Sequence, residues 1–276
     1  MTSHDVVSAI RKLLDTPRVG HAGTLDPMAT GVLVIGVGAA TKLLTFITGV
    51  SKTYEATIRF GVETDSLDAD GAVTATYEMA GLSPAQVHAA AKEMTGEILQ
   101  VPPMVSALRV DGRRLHQLAR EGIEVERKPR PATVSQFDLL PTADPLVWTA
   151  TVECSSGTYV RSLAADLGQA LGGGAHLSAL RRTSVGPYEI AEAQPIDAAV
   201  LLPPVEGVRQ LQHLQVDEQI EDFVRHGRVL EQTQIGATGI GPWAVLSASS
   251  ALLAVYEPFR ETRCKPSIVL SNEVAE

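Results

Sequence analysis

The sequence predicts an α+β fold with a mixed sheet, followed by a small C-terminal β-rich domain. Three observations predict it. Strand-like and helix-like periodicities replace one another repeatedly as far as Gly172. Leu201-Leu202-Pro203-Pro204 then reads as a linker. Beyond it, Trp243–Leu246 and Leu252–Tyr256 are short apolar runs of strand length. The chain has 276 residues, which suits one large domain and a small one. The expected division is 1–204 and 205–276.

The first element is a helix, because Val6, Val7, Ile10, Leu13 and Leu14 follow helical spacing. Thr2 or Ser3 caps it and Pro17 ends it. The apolar run Val32–Val37 comes next and fits a buried strand or a helix. Thr53 to Phe60 alternates as a strand, with Tyr54, Ala56, Ile58 and Phe60 on one face. Asp65 to Gly71 is acidic but fails as a calcium loop, since the closing position is Tyr77 rather than Glu; it reads as a strand–turn connection. Ser83-Pro84-Ala85-Gln86 is a capping box with Pro at the first helical position. Val87, Ala90, Ala91 and Met94 form that helix's apolar stripe, and Gly96 stops it. Pro102-Pro103 opens an irregular stretch, and Arg113 to Arg120 reads as a short basic helix with Leu115 and Leu118. Val147 to Cys154 is a strand, and Gly157 to Gly172 a helix with Leu163, Leu167 and Leu171 inward.

Composition bounds the function. At 45% hydrophobic the chain can bury a sizeable core. It has no apolar run of about 18 residues, so no membrane-spanning helix is expected. Met1-Thr2-Ser3-His4-Asp5 lacks the basic and apolar regions of a signal peptide. Cys154 and Cys264 are too few for a disulfide framework or a four-ligand zinc site. Together these point to a reducing cytoplasm. Gly36-Val37-Gly38 lacks the third glycine of a dinucleotide fingerprint and the lysine of a phosphate loop. The net charge of −9 opposes nucleic-acid binding at first sight. However, Arg109, Arg113, Arg114 and Arg120 lie close together, Arg127, Lys128 and Arg130 follow, and Arg181 and Arg182 come later. Such a run serves either as a solvated helix face or as a local RNA-binding surface.

The most distinctive stretch runs from Gly20 to Gly36. It places four glycines, His21, Asp26 and Pro27 around a run that turns fully apolar at Val32. Such a loop is a solvated turn or a rigid mount for chemistry. The string Gly20-His21-Ala22-Gly23-Thr24-Leu25-Asp26-Pro27, continued by Ala29-Thr30-Gly31-Val32-Leu33, resembles the signature of the tRNA pseudouridine-55 synthases. The resemblance continues in order through Lys52-Thr53-Tyr54-Glu55, Thr64 to Gly71, Gln100-Val101-Pro102-Pro103, Ser106-Ala107, Gly112 to Leu115 and Ala119 to Gly122. It ends with Cys154 to Arg161 and His176 to Arg182, and it covers roughly Met1 to Pro195.

The resemblance implies a mostly antiparallel sheet flanked by helices, the pseudouridine synthase fold. It implies isomerisation of a uridine in the T loop of tRNA, by an enzyme acting alone without cofactor, metal or guide RNA, and expected to be a monomer. That reaction breaks a C–N glycosidic bond, turns the base and forms a C–C bond. It needs a carboxylate beside a base taken out of its stack. Asp26 matches the catalytic Asp, either as nucleophile or as base abstracting a sugar proton. Arg161 matches the Arg that pairs with it, and Tyr54 a Tyr that stacks on the flipped uracil. Tyr159 and Leu180 match pocket residues, and His21 a His contacting RNA near the target. Residues 100–130 match an element that clamps the T loop, although position 116 carries His116 where Tyr is usual. Arg113, Arg114, Arg120, Arg181 and Arg182 are the expected phosphate-facing set. The terminal domain sits where the family often carries a PUA-like RNA-binding module. Two other readings share the scaffold: a non-catalytic RNA-binding protein, and the catalytic subunit of a guide-RNA complex. Relatives also carry about a dozen residues before the position of Met1, including a short strand, so a start upstream of Met1 is expected.

Overall fold

The computed structural model describes residues 1–106, 108–110 and 112–270, with the side chains of Arg109, Arg114, His116 and Arg120 outside the description. The chain forms two compact units, and the boundary does not fall at the linker read from the sequence. One unit comprises Met1–Leu25, Leu33–Gly49 and Gly186–Glu276; the other comprises Asp26–Val32 and Val50–Val185. The N-terminal segments and the C-terminal third therefore share cores. Leu43 packs with Val208, Ala244, Leu252 and Val255, and Val7, Ile10 and Val19 have Ile196 and Ala199 against them.

The first unit begins with helix Ser3–Leu13. Thr2 caps it in a reciprocal box with Asp5. Strands Val19–Ala22 and Val34–Val37 pair as an antiparallel hairpin, so the apolar run after the signature loop is a strand. The C-terminal third carries a five-stranded sheet. Its strands run Gln212–Gln215, Trp243–Leu246, Leu252–Phe259, Arg263–Val269 and Leu230–Glu231 in spatial order. Only the first pairing is parallel.

The second unit holds the larger sheet. From one side its strands are Ala175–Val185, Lys52–Phe60, Val147–Cys154, Arg130–Pro141 and Gly96–Gln100, each antiparallel to the next. The two-residue strand Thr30–Gly31 adds parallel to Arg181 and Arg182. The sheet is thus mixed and mostly antiparallel. Alternation on Lys52–Phe60 sends Tyr54, Ala56, Ile58 and Phe60 into the core. There they meet Val87 and Ala91 of helix Pro84–Glu93, and Val160, Leu163, Ala164 and Leu167 of helix Val160–Ala170. The intervening Glu55 faces outward, as does Ala179 on the neighbouring strand. Ser83 caps the first of these helices with Gln86 returning the bond.

Two helices start later than their periodicity suggests. Val160–Ala170 begins three residues after Gly157, because Gly157 has φ +87° and Tyr159 is extended. The basic helix begins at Leu115 rather than Arg113. Arg113 and Arg114 form a short strand paired with Arg109–Val110, while Leu115 and Leu118 turn inward. No described helix is long and apolar enough to cross a membrane.

Candidate active site

Asp26 opens the Asp26–Val32 segment. Its carbonyl accepts from Ala29 N at 2.9 Å, closing a tight turn through Pro27. Facing it is Arg161, the second residue of helix Val160–Ala170. Arg161 Nε donates to Asp26 Oδ2 and Nη2 to Asp26 Oδ1, both at 2.8 Å. This two-pronged pairing fixes the plane of the carboxylate as well as its position. The guanidinium is 3% exposed and the Asp26 side chain 31%. One partner is therefore buried, and the other opens to solvent.

The remaining Arg161 donors are also taken. Nη1 donates to Ser66 O at 2.8 Å and lies 3.5 Å from Asp68 Oδ2. Nη2 also donates to Val105 O at 2.9 Å. Asp68 is 4% exposed. It accepts from Ser66 Oγ at 2.5 Å and from Asp70 N at 3.2 Å. A buried carboxylate is tolerable only when paired and hydrogen-bonded, and Asp68 is both. Sequence reasoning missed it: the Asp65–Gly71 stretch reads as a turn, and no periodicity separates Asp68 from Asp65 or Asp70. The one signal was its place inside a block shared with the resembled family.

Tyr54 projects from the neighbouring strand and is 8% exposed. Burial raises its pKa, while the charge and hydrogen bond of Arg182 pull it down; the Asp26 charge reaches it as well. Leu180, 6% exposed, stands opposite Ala56 in the same sheet. Tyr159 supplies the extended residue before helix Val160–Ala170. Thus Asp26, Arg161, Tyr54, Tyr159 and Leu180 all belong to one unit. An open groove in that unit is lined by Met28, Thr30, Thr57, Ser178, Leu180 and Arg181, among others.

The expected phosphate-facing arginines divide. Arg181 is exposed, with Nη1 3.4 Å from Thr30 Oγ1. Arg113 is exposed and paired with Glu121 at 2.5 Å. The side chains of Arg114 and Arg120 lie outside the described residues. Arg182 is a correction: it is 0% exposed and cannot face a phosphate. Its Nε donates to Val32 O at 2.8 Å, and Val32 N donates back to Arg182 O at 2.9 Å. Strand alternation explains this, because Arg182 follows the exposed Arg181 and must point the other way. Its backbone is met by Gly31, which has φ +105°; a Cβ there would overlap the Arg182 carbonyl. His21 belongs to the first unit, on strand Val19–Ala22 opposite Ile35.

A carboxylate held by a buried arginine, in one unit with a buried tyrosine on an interior strand of a mostly antiparallel sheet, is the arrangement expected of a pseudouridine synthase. Comparison with known proteins agrees. Residues 11–160 match the N-terminal domain of the TruB family pseudouridylate synthases, and residues 161–206 match the tRNA pseudouridylate synthase B C-terminal domain. The chain belongs to the TruB family. It is 45% identical over 279 residues to the tRNA pseudouridine synthase B of Nocardia farcinica (strain IFM 10152), covering 98% of this chain and 90% of that protein. It is also 45% identical over 267 residues to that of Rhodococcus jostii (strain RHA1), covering 93% and 86%. Among solved structures, a Cbf5-Nop10-Gar1 complex aligns with TM-score 0.73 at 24% identity, covering 98% of this chain and 81% of that one. An H/ACA RNP bound to a substrate RNA containing 2'-deoxyuridine aligns with TM-score 0.70 at 22% identity. At those identities the structures speak for the fold alone.

Proposed function

We propose that the chain converts uridine 55 in the T loop of tRNA to pseudouridine, acting alone as a cytoplasmic monomer. The observation that carries this reading is the Asp26–Arg161 pair: a carboxylate aimed from behind by a 3% exposed guanidinium and open in front. Rigid aim matters because the reacting base must be flipped out and met in one orientation. Tyr54 and Leu180 supply an aromatic face and an apolar wall for a uracil ring. Asp26 acts on the flipped nucleotide, the C1′–N1 bond breaks, the ring turns, and a C1′–C5 bond forms. The C5 proton then leaves to solvent, and N1, released from the sugar, takes up a proton. Arg113 and Arg181, both exposed, face the phosphates, and His21 contacts RNA near the target.

A non-catalytic RNA binder would have no use for this tethered carboxylate, which favours catalysis. The test is tritium release from C5-labelled uridine in an unmodified tRNA transcript, with no guide RNA present. Stoichiometric release from the T loop supports the reading. Absence of release, or release only when a guide RNA is added, refutes it.

A further inference from the structure

Gln100 ends the edge strand Gly96–Gln100 and is 3% exposed. Its amide meets the backbone of Tyr159, 59 residues on, from both sides. Nε2 donates to Tyr159 O at 3.0 Å, and Tyr159 N donates to Oε1 at 2.7 Å. Resting on the reading that Asp26 and Arg161 carry the reaction, we propose that Gln100 is a positioning residue, fixing where the helix that bears Arg161 begins.

The helix start needs such a fixture. Tyr159 is its N-cap residue, yet no side chain of its own caps the first turn. Tyr159 O is also the acceptor for Leu163 N at 3.1 Å. The Gln100 amide is therefore bonded to the same carbonyl that opens the helical ladder. Two further bonds come from the same short stretch. Ser162 Oγ donates to Val101 O at 3.1 Å, and Arg161 Nη2 donates to Val105 O at 2.9 Å. Gln100, Val101 and Val105 thus bond Tyr159, Ser162 and Arg161 respectively.

The geometry is unforgiving. A helix turns about 100° and rises about 1.5 Å per residue. A start displaced by one residue would swing Arg161 off Asp26 altogether, and a smaller rotation would break one of the two 2.8 Å bonds. An ordinary buried position at the end of an edge strand takes an apolar side chain. This one needs a donor and an acceptor on one planar group, which among uncharged side chains only an amide supplies at this length. A buried amide left half-paired would also be costly.

The test compares wild type with Gln100→Met and Gln100→Glu, using a T-arm stem-loop carrying C5-tritiated uridine. Gln100→Met keeps the length and removes both bonds. Gln100→Glu keeps the acceptor for Tyr159 N but sets an oxygen against Tyr159 O. Dissociation constant, single-turnover rate constant and reaction amplitude are read separately. The expected result is a rate constant lowered roughly tenfold to a hundredfold, with binding and amplitude within twofold of wild type. A lower amplitude at an unchanged rate constant would mean that Gln100 only supports folding, and would overturn the proposal. So would wild-type rates in both variants, or failure of both to fold. If wild type itself releases no tritium, the isomerase reading falls instead, which separates the two failures.

Discussion

Asp68 sits 3.5 Å from Nη1 of Arg161, while Asp26 takes the Nε–Nη2 edge of the same guanidinium. One buried cation is thus shared by two carboxylates. Asp68, 4% exposed, is tied into its own turn by Ser66 and Asp70; Asp26 is the partner left open. Asp68 therefore anchors the arginine that aims Asp26. Replacing Asp68 by Asn keeps the shape and removes the charge. Turnover should fall roughly tenfold to a hundredfold, while affinity for tRNA stays within a few-fold. Single-turnover tritium release alongside filter binding checks this. Loss of binding with unchanged chemistry would show that Asp68 serves the RNA interface instead.

The Gly31–Arg182 contact makes a stability claim. Gly31 holds φ +105°, and the Arg182 carbonyl occupies the space a Cβ would need. Gly31→Ala combines a backbone penalty with a steric overlap, and should destabilise the protein by about 3 kcal/mol. Urea denaturation of the two proteins measures it. A change below about 0.5 kcal/mol would contradict the close approach.

How far the sequence could be read depended on how regular each element is. Lys52–Phe60 and the Ser83 capping box were legible because alternation and cap chemistry are unbroken there. The strand Ala175–Val185 was not, because register shifts between Leu177 and Ala179 and between Arg182 and Ser184 break its period of two. Arg130–Pro141 carries Arg, Pro, Thr, Ser and Gln among its buried apolar positions, which dilutes a strand signal. The Asp26–Arg161 pairing spans 135 residues. No local rule reaches that far, and only the family resemblance suggested it. Arg182 was misread for the opposite reason: charge alone implied a surface, whereas alternation after Arg181 put it in the core.

Burial of Arg182 separates it from Arg181 in an RNA-binding experiment. Affinity should fall steeply with salt, and each lost phosphate contact should flatten the slope by about 0.7–0.9. Arg181→Ala combined with Arg113→Ala should flatten it by between one and two such steps. Arg182→Met should leave the slope unchanged in whatever protein folds, and should lower the melting temperature. A slope altered by Arg182→Met and untouched by the pair would place the RNA elsewhere.

Both cysteines are buried, and burial pushes each thiol up to about 11. A raised value means the neutral thiol is favoured in the folded state. The resulting stability is complete below the unfolded value near 9 and is lost as pH climbs toward 11. Native protein at pH 8 should therefore resist a thiol reagent such as dithionitrobenzoate, and unfolded protein should titrate two thiols. Urea midpoints should fall between pH 9 and pH 11. Fast labelling of native protein at pH 8 would contradict this burial.

The central claim is that Asp26, held by Arg161, performs the chemistry rather than the binding. Asp26→Asn is the most direct measurement, because it keeps size and removes only the carboxylate. Single-turnover tritium release from an unmodified tRNA transcript should become undetectable, while the dissociation constant stays within a few-fold of wild type. Release at a normal rate in that variant would contradict the account.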